Sequence, residues 1–343
     1  MYGPLRRLAR LGSPSVVLLG VLAIGCSLGG GGSPRGPAEG ASGAAGAESG
    51  TFWVDPESPA ARQAREWEGE GRADDAALVR RIAEQPLATW PPGERDPAPR
   101  VRAVTEAASD AGRTAVLVAY NIPHRDCGRY SRGGAADGAA YERWIGAFAG
   151  AIGDAEAVVV LEPDAVPHTA DGCTDPRYVE ERFALLAAAV DALKAGENTR
   201  VYLDAGNPGW GTEPDRLAEA LGRAGVARAD GFALNVANFQ TLDASTAYGR
   251  ELSGLLGGAH FVVDTSRNGN GPFDGDAEPW CNPPGRALGT PPTTETGDPL
   301  VDAYLWVKRP GESDGECRGG PPAGRWWPEY ALGLAREAAR GPR

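Results

Sequence analysis

Histidine is scarce in this chain: among 343 residues there are three, His124, His168 and His260. None stands at zinc-ligand spacing from a cysteine or another histidine, and no CxxC pair occurs. A histidine-built transition-metal centre is therefore not expected, nor is any other metal or cofactor. Basic residues are also in short supply, 34 against 46 acidic, for a net charge of −12. Nucleic acids and anionic membranes are held by clustered Lys and Arg, so neither is an expected partner. Long apolar runs are missing after the first 25 residues. The one near the start, "SVVLLGVLAIG", is too short to cross a bilayer as a mature helix, so no transmembrane helix is expected in the mature protein.

That early run has the layout of an export signal. Arg6, Arg7 and Arg10 form a basic leader, the apolar centre follows, and small residues close it, which predicts a signal peptide over 1–25. Cys26 then opens a Gly-rich stretch over 26–50 with little to bury, a tether. Cys26 is a candidate for lipidation, although Ala23 stands where bacterial lipoprotein signals usually carry Leu; the alternative is simple secretion with cleavage nearby. The expected location is extracytoplasmic, secreted or at the cell surface. The remaining cysteines, Cys127, Cys173, Cys281 and Cys317, are an even set in an exported chain, so two disulfides are expected.

From residue 51 onward, β-branched runs alternate with amphipathic stretches, the pattern of βα units around a parallel sheet or barrel. Strands are predicted at "TFWVD", "AVLVAY", "AVVVLEP", "RVYLDAG", "GFALNVAN", "HFVVDTS" and "AYLWVKRP". Helices are predicted at "AAYERWIGAFAGAI", "YVEERFALLAAAVDALKAG" and "PDRLAEALGRAG" from apolar residues at three and four spacing. No internal repeat or second linker interrupts the series, so 51–343 reads as one α/β domain, expected to act as a monomer. Tyr120, Glu162, Asp164, Asp204, Asn235, Asp264 and Lys308 fall at the C-terminal ends of the predicted strands, the edge where parallel barrels bind substrates.

Carboxylates dominate that edge: Asp126, Glu162, Asp164, Asp204, Asp264, Glu312 and Asp314. Crowded carboxyls in a partly dry cleft raise one another's pKa, so one can stay protonated as a general acid. Hydrolysis of a glycosidic bond with inversion needs such an acid and a base about 6.5–9.5 Å away, and tryptophans offer flat platforms for sugar faces. A competing motif, "GESDG" around Ser313, has the GxSxG form of a nucleophile elbow. It lacks the helix that should follow and any histidine after His260, which excludes a serine hydrolase.

The stretches "AYNIPHRDCG", "VVVLEPDAVP", "YLDAGNPGW", "ALNVANF", "VDTSRNGNGP", "EPWCNPPGRALG" and "LWVKRPGESDGEC", in that order, resemble glycoside hydrolase family 6, cellulases that cut β-1,4-glucan with inversion. The resemblance covers essentially all of 51–343 and implies a distorted, incomplete β/α (TIM-like) barrel of about seven parallel strands. It implies that Asp164 is the general acid, that Asp126 influences its protonation, that Asp314 is the candidate base, directly or through a water, and that Tyr120 presses on the distorted sugar. It implies aromatic platforms at Trp53, Trp210 and Trp280, and sugar or cleft contacts from Lys308, Glu312, Asp204 and Asn235. It implies the pairs Cys127–Cys173 and Cys281–Cys317. Glu162 is read as a supporting carboxylate behind the acid.

One departure is visible: Asn207 stands where many members carry His, which bears on one substrate contact and on no proton-transfer role. The two cysteine-bounded segments are short, as in members with an open groove, so chain-internal cutting of a β-1,4-glucan or cello-oligosaccharide is expected ahead of exo-acting release of cellobiose. A glycan-binding protein without turnover would be expected to lack the acid or the base-side carboxylate, and Asp164, Asp126 and Asp314 are all present.

Overall fold

The computed structural model describes residues 51–275 and 278–341, so the predicted leader, tether and lipidation at Cys26 lie outside the described residues. Six strands form one all-parallel sheet in sequential order: β1 (Ala115–Ala119), β2 (Ala157–Leu161), β3 (Thr199–Asp204), β4 (Gly231–Leu234), β5 (His260–Asp264) and β6 (Val301–Leu305). Helices α4 (Gly138–Ile152), α5 (Ala165–Ala170), α6 (Val179–Lys194), α7 (Pro214–Arg223) and α8 (Leu242–Leu255) occupy the crossovers, as parallel pairing requires. Asp137 starts α4 and Thr241 starts α8, each side chain accepting a first-turn amide, from Ala140 and Ala244.

Because side chains alternate along a strand, each strand feeds two cores. Leu117, Val159, Val201, Phe232 and Val263 pack outward against the helices in the larger apolar cluster. Val116, Val118, Val158, Val160, Tyr202, Ala233 and Val262 fill the barrel interior. Continuing the inward set by two residues reaches Tyr120, Glu162, Asp204, Asn235 and Asp264, so the polar strand ends converge because they share the parity of the interior valines. In β6 the parity is reset by an irregularity between Phe261 and Val262, where Phe261 pairs with Val301 but Val262 with Ala303. Gly231, where β4 begins, has φ +156°, and a Cβ there would lie 2.0 Å from the His260 carbonyl oxygen, so this close approach of β4 to β5 requires glycine.

The barrel is distorted and incomplete, as expected, but "TFWVD" is not its seventh strand. The free edge of β1 is covered by two short pieces. Phe52 pairs with Thr114 at the start of β1, and Leu87–Thr89 pairs with both Trp306 and Leu117, bridging β6 to β1. The Ala88 amide donates to the Trp306 carbonyl at 3.0 Å and the Val118 amide to that of Thr89 at 2.9 Å. Helices α1 (Pro59–Gly69), α2 (Ala73–Ala83) and α9 (Pro328–Arg340) bury a separate cluster around Trp67 and Trp306 beside this seam. Helix α3 (Ala98–Asp110) leads into β1. Among the described residues no helix is long and apolar enough to cross a membrane.

Candidate active site

At the C-terminal edge of the sheet lies a cleft of about 620 Å³ whose walls include Tyr120, Asp126, Asp164, Trp210, Trp280, Lys308, Glu312 and Asp314. Eight of the expected site residues thus meet in one cavity. Two disulfides, Cys127–Cys173 and Cys281–Cys317, tie the loops carrying Asp126 and Asp314, in the pairing expected.

Asp164 stands where β2 turns into α5, with φ +69°. Its amide donates to Asp204 Oδ2 at 2.8 Å, and its carbonyl accepts the His168 amide at 2.9 Å, so a buried carboxylate and a helical turn hold this strained residue. Desolvation, reinforced by the negative charge of Asp126, pushes the Asp164 carboxyl up to about 7. Asp126 is half-buried, has φ +56°, and accepts the Ser131 amide at 2.6 Å. Burial raises its pKa too, against the pull of that amide and of Arg129. Asp164 can therefore carry a proton near neutrality and deliver it to an oxygen in the cleft. Burial, followed by the charges of Asp164 and Asp126, keeps the Tyr120 phenol protonated.

Asp314, which lines the same cleft, has the reverse electrostatics. Asp314 accepts Arg267 Nη1 at 2.8 Å and the Asn282 amide at 3.0 Å on one oxygen, and pairs with Lys308 Nζ at 3.4 Å on the other. Burial alone would raise its pKa, but the charges of Arg267 and Lys308 and these hydrogen bonds outweigh it and hold the carboxyl below its ordinary value. Asp314 is thus held as an anion in the cleft that Asp164 also lines. Arg267 itself is fully buried, its guanidinium 4.3 Å from the Phe239 ring centroid and donating to the Ala237 carbonyl at 2.6 Å.

Three expected substrate contacts lie elsewhere. Trp53 follows the inward-facing Phe52, so alternation turns it outward against the helix-facing core, away from the cleft. Asp204 is buried beneath the site with Oδ2 taken by the Asp164 and Gly206 amides; it supports Asp164. Asn235, also buried, clamps Gln240 and the Asp264 carbonyl with both ends of its amide. Glu162 accepts the amides of Asn121 and Ile122, and burial drives it up to about 7. Asp264 accepts four amides, those of Ala237, Ser266, Val307 and Lys308, and so stitches the ends of β4, β5 and β6 together.

An aromatic side chain of the cleft that the sequence did not point to is Trp90. It lines the cleft edge-on to Tyr120, centroids 5.4 Å apart, with its Nε1 donating to the Val307 carbonyl at 2.9 Å. Its setting, "TWPPG", reads as a Pro-rich connector, and only the closure of the seam brings it to the cleft. Arg267, the buried cation against Asp314, was likewise not singled out. Asn207 accepts the Gly209 amide at 2.9 Å and so shapes the turn that presents Trp210. Ser313 Oγ is buried and donates to the Gly315 carbonyl, which leaves it no role as a nucleophile. Among the described residues one trio has metal-ligand atoms within 4.8 Å of one another, Cys127, His168 and Cys173, but its two sulfurs are bonded to each other.

Comparison with known proteins agrees with this geometry. The model of Glycosyl hydrolases family 6 matches residues 47–338. Endoglucanase A of Cellulomonas fimi is 43% identical over 290 residues, 84% of this chain; the chain spans 61% of that protein's length. Endoglucanase 1 of Streptomyces halstedii is 44% identical over 291 residues, 82% of this chain and 87% of that protein. The structure of the endoglucanase Cel6 from Mycobacterium tuberculosis in complex with methyl-cellobiosyl-4-deoxy-4-thio-β-D-cellobioside superposes with a TM-score of 0.80 at 44% identity, covering 85% of this chain and 98% of that one. With the family model spanning the whole barrel and the matching acidic groove at its edge, the chain belongs to glycosyl hydrolases family 6.

Proposed function

We propose that this protein is an inverting glycoside hydrolase that cuts β-1,4-glucosidic bonds inside cellulose or a related glucan. The observation that carries the reading is the opposed setting of two carboxyls in one aromatic-lined groove, Asp164 raised toward neutrality and Asp314 held ionised. Asp164 protonates the leaving oxygen. Asp314 draws a proton from the water that attacks the opposite face, directly or through a second water. Asp126 tunes Asp164, and Tyr120 backs the sugar at the point of cleavage. Trp90, Trp210 and Trp280 bear sugar faces, and Lys308 and Glu312, which line the same groove, contact sugar hydroxyls. Endo action is supported by the relatives at 43–44% identity, which carry the name endoglucanase. The two disulfides favour an oxidising compartment, in keeping with export by the 1–25 leader, either free or lipid-anchored through Cys26.

The test is reducing-end release from carboxymethylcellulose by the purified protein and by Asp164→Ala. The variant is expected to lose about 10³-fold in rate on the polymer but far less on an aryl cellobioside whose leaving group needs no proton. Equal losses on both substrates, or wild-type rates on the polymer, would remove Asp164 from the acid's role.

A further inference from the structure

Two large apolar side chains stand open to solvent among the described residues, Leu255 and Tyr130; Tyr130, at 40% exposure, lies in the cleft itself. Its backbone belongs to the turn after β1 that carries Asp126, yet its ring meets Trp280, Glu278 and Gly315, which belong to the segments around Asp314 and the Cys281–Cys317 disulfide. The ring centroid is 5.9 Å from that of Trp280, with the planes at 58°. Its hydroxyl reaches to 3.5 Å from Glu278 Oε2. The ring lies so closely over Gly315 that a Cβ added there would stand 2.4 Å from Tyr130 Cγ.

Both ends of this contact are anchored. On one side the Ser131 amide grips Asp126 and Cys127 is tied to Cys173. On the other, Gly315 follows Asp314, whose amide donates to Asn282 Oδ1 at 2.8 Å, and Cys281 is tied to Cys317. A phenol thus reaches, at the lining of the cleft, from the segment that carries Asp126 to the segments around Asp314. Among the described residues it is held by a partly exposed aromatic pair, the packing over Gly315 and a long hydrogen bond to Glu278, a contact weak enough to open and re-form.

We propose that Tyr130 is a strap that sets which glucan chains gain the groove. Closed, it lets unsubstituted chains thread beneath the phenol and turns away chains carrying bulky substituents; open, it admits any internal segment from the side. This inference rests on the glucanase reading above.

The experiment compares kcat/KM on carboxymethylcellulose with kcat/KM on cellohexaose for wild type, Tyr130→Phe, Tyr130→Ala and Gly315→Ala. Circular dichroism and a thiol count confirm that each variant is folded with both disulfides closed. Tyr130→Ala removes the strap and Gly315→Ala displaces it, so each is expected to raise the polymer-to-hexaose ratio about threefold or more. Tyr130→Phe keeps the ring and is expected to keep the wild-type ratio. A wild-type protein active on both substrates, with the ratio unchanged in both alanine variants, would overturn the strap alone. A wild-type protein active on neither would overturn the glucanase reading and the strap with it.

Discussion

Asp164 and Asp314 are the same residue type lining the same groove, and what separates them is company. Asp164 has the charge of Asp126 nearby, whereas Asp314 has two cations and an amide. Activity is therefore expected to fall as the pH rises through about 7, where Asp164 loses its proton, and to survive mild acid, because Asp314 stays ionised below the ordinary carboxylate range. Asp126→Asn removes a charge that raises Asp164, so the alkaline limb of kcat/KM should move to lower pH; an unmoved limb in an active variant would separate Asp126 from the tuning role. Lys308→Met should move the acid limb upward, since one of the cations holding Asp314 down is gone. Asp164→Asn should be inactive yet more heat-stable than wild type at pH 8, because the neutral amide escapes the desolvation and repulsion that the ionised acid suffers there. Thermal melts of the two proteins side by side check this.

At the scale of elements, the convergence of strand-end side chains was readable because β-alternation is readable. Valines at 116, 118, 158 and 160 predict that Tyr120 and Glu162 face inward, and they do. The same rule, applied strictly, turns Trp53 outward, and the family resemblance alone suggested a platform there. Burial depth could not be read in the same way. Asp204 and Asn235 lie at the correct edge but one layer below the groove, spent on backbone amides. Asp204→Ala is accordingly expected to act through position: it strips the acceptor from a strained Asp164 and should cost about 1–3 kcal/mol of stability. A loss of about 10²-fold in kcat with little change in KM would mark misplacement of the acid, whereas a large rise in KM would mark a substrate contact instead. The seam through Leu87–Thr89 was illegible because the four residues between Pro86 and Pro91 carry no strand period, and Trp90 was lost with it.

The whole molecule keeps several carboxyls dry at the barrel mouth, and its stability should show it. Glu162 and Asp164 have ordinary values of 4.5 and 3.8 and are raised to about 7 in the folded chain. Between those limits the folded state binds protons that the unfolded chain releases. The stability these groups confer is full below about pH 4 and is lost as the pH rises through about 7. Melts across pH 5 to 8 should show this decline, reduced in Asp164→Asn. The catalytic roles of Asp164 and Asp314 rest on one claim, that an acid and a separated base act on opposite faces of one glucosidic bond. Proton NMR of the anomeric signals at the newly formed ends of a soluble β-1,4-glucan, recorded before mutarotation, tests it most directly. The α anomer is the predicted first product; the β anomer appearing first would mean retention through a carboxylate nucleophile and would contradict the roles given to Asp164 and Asp314.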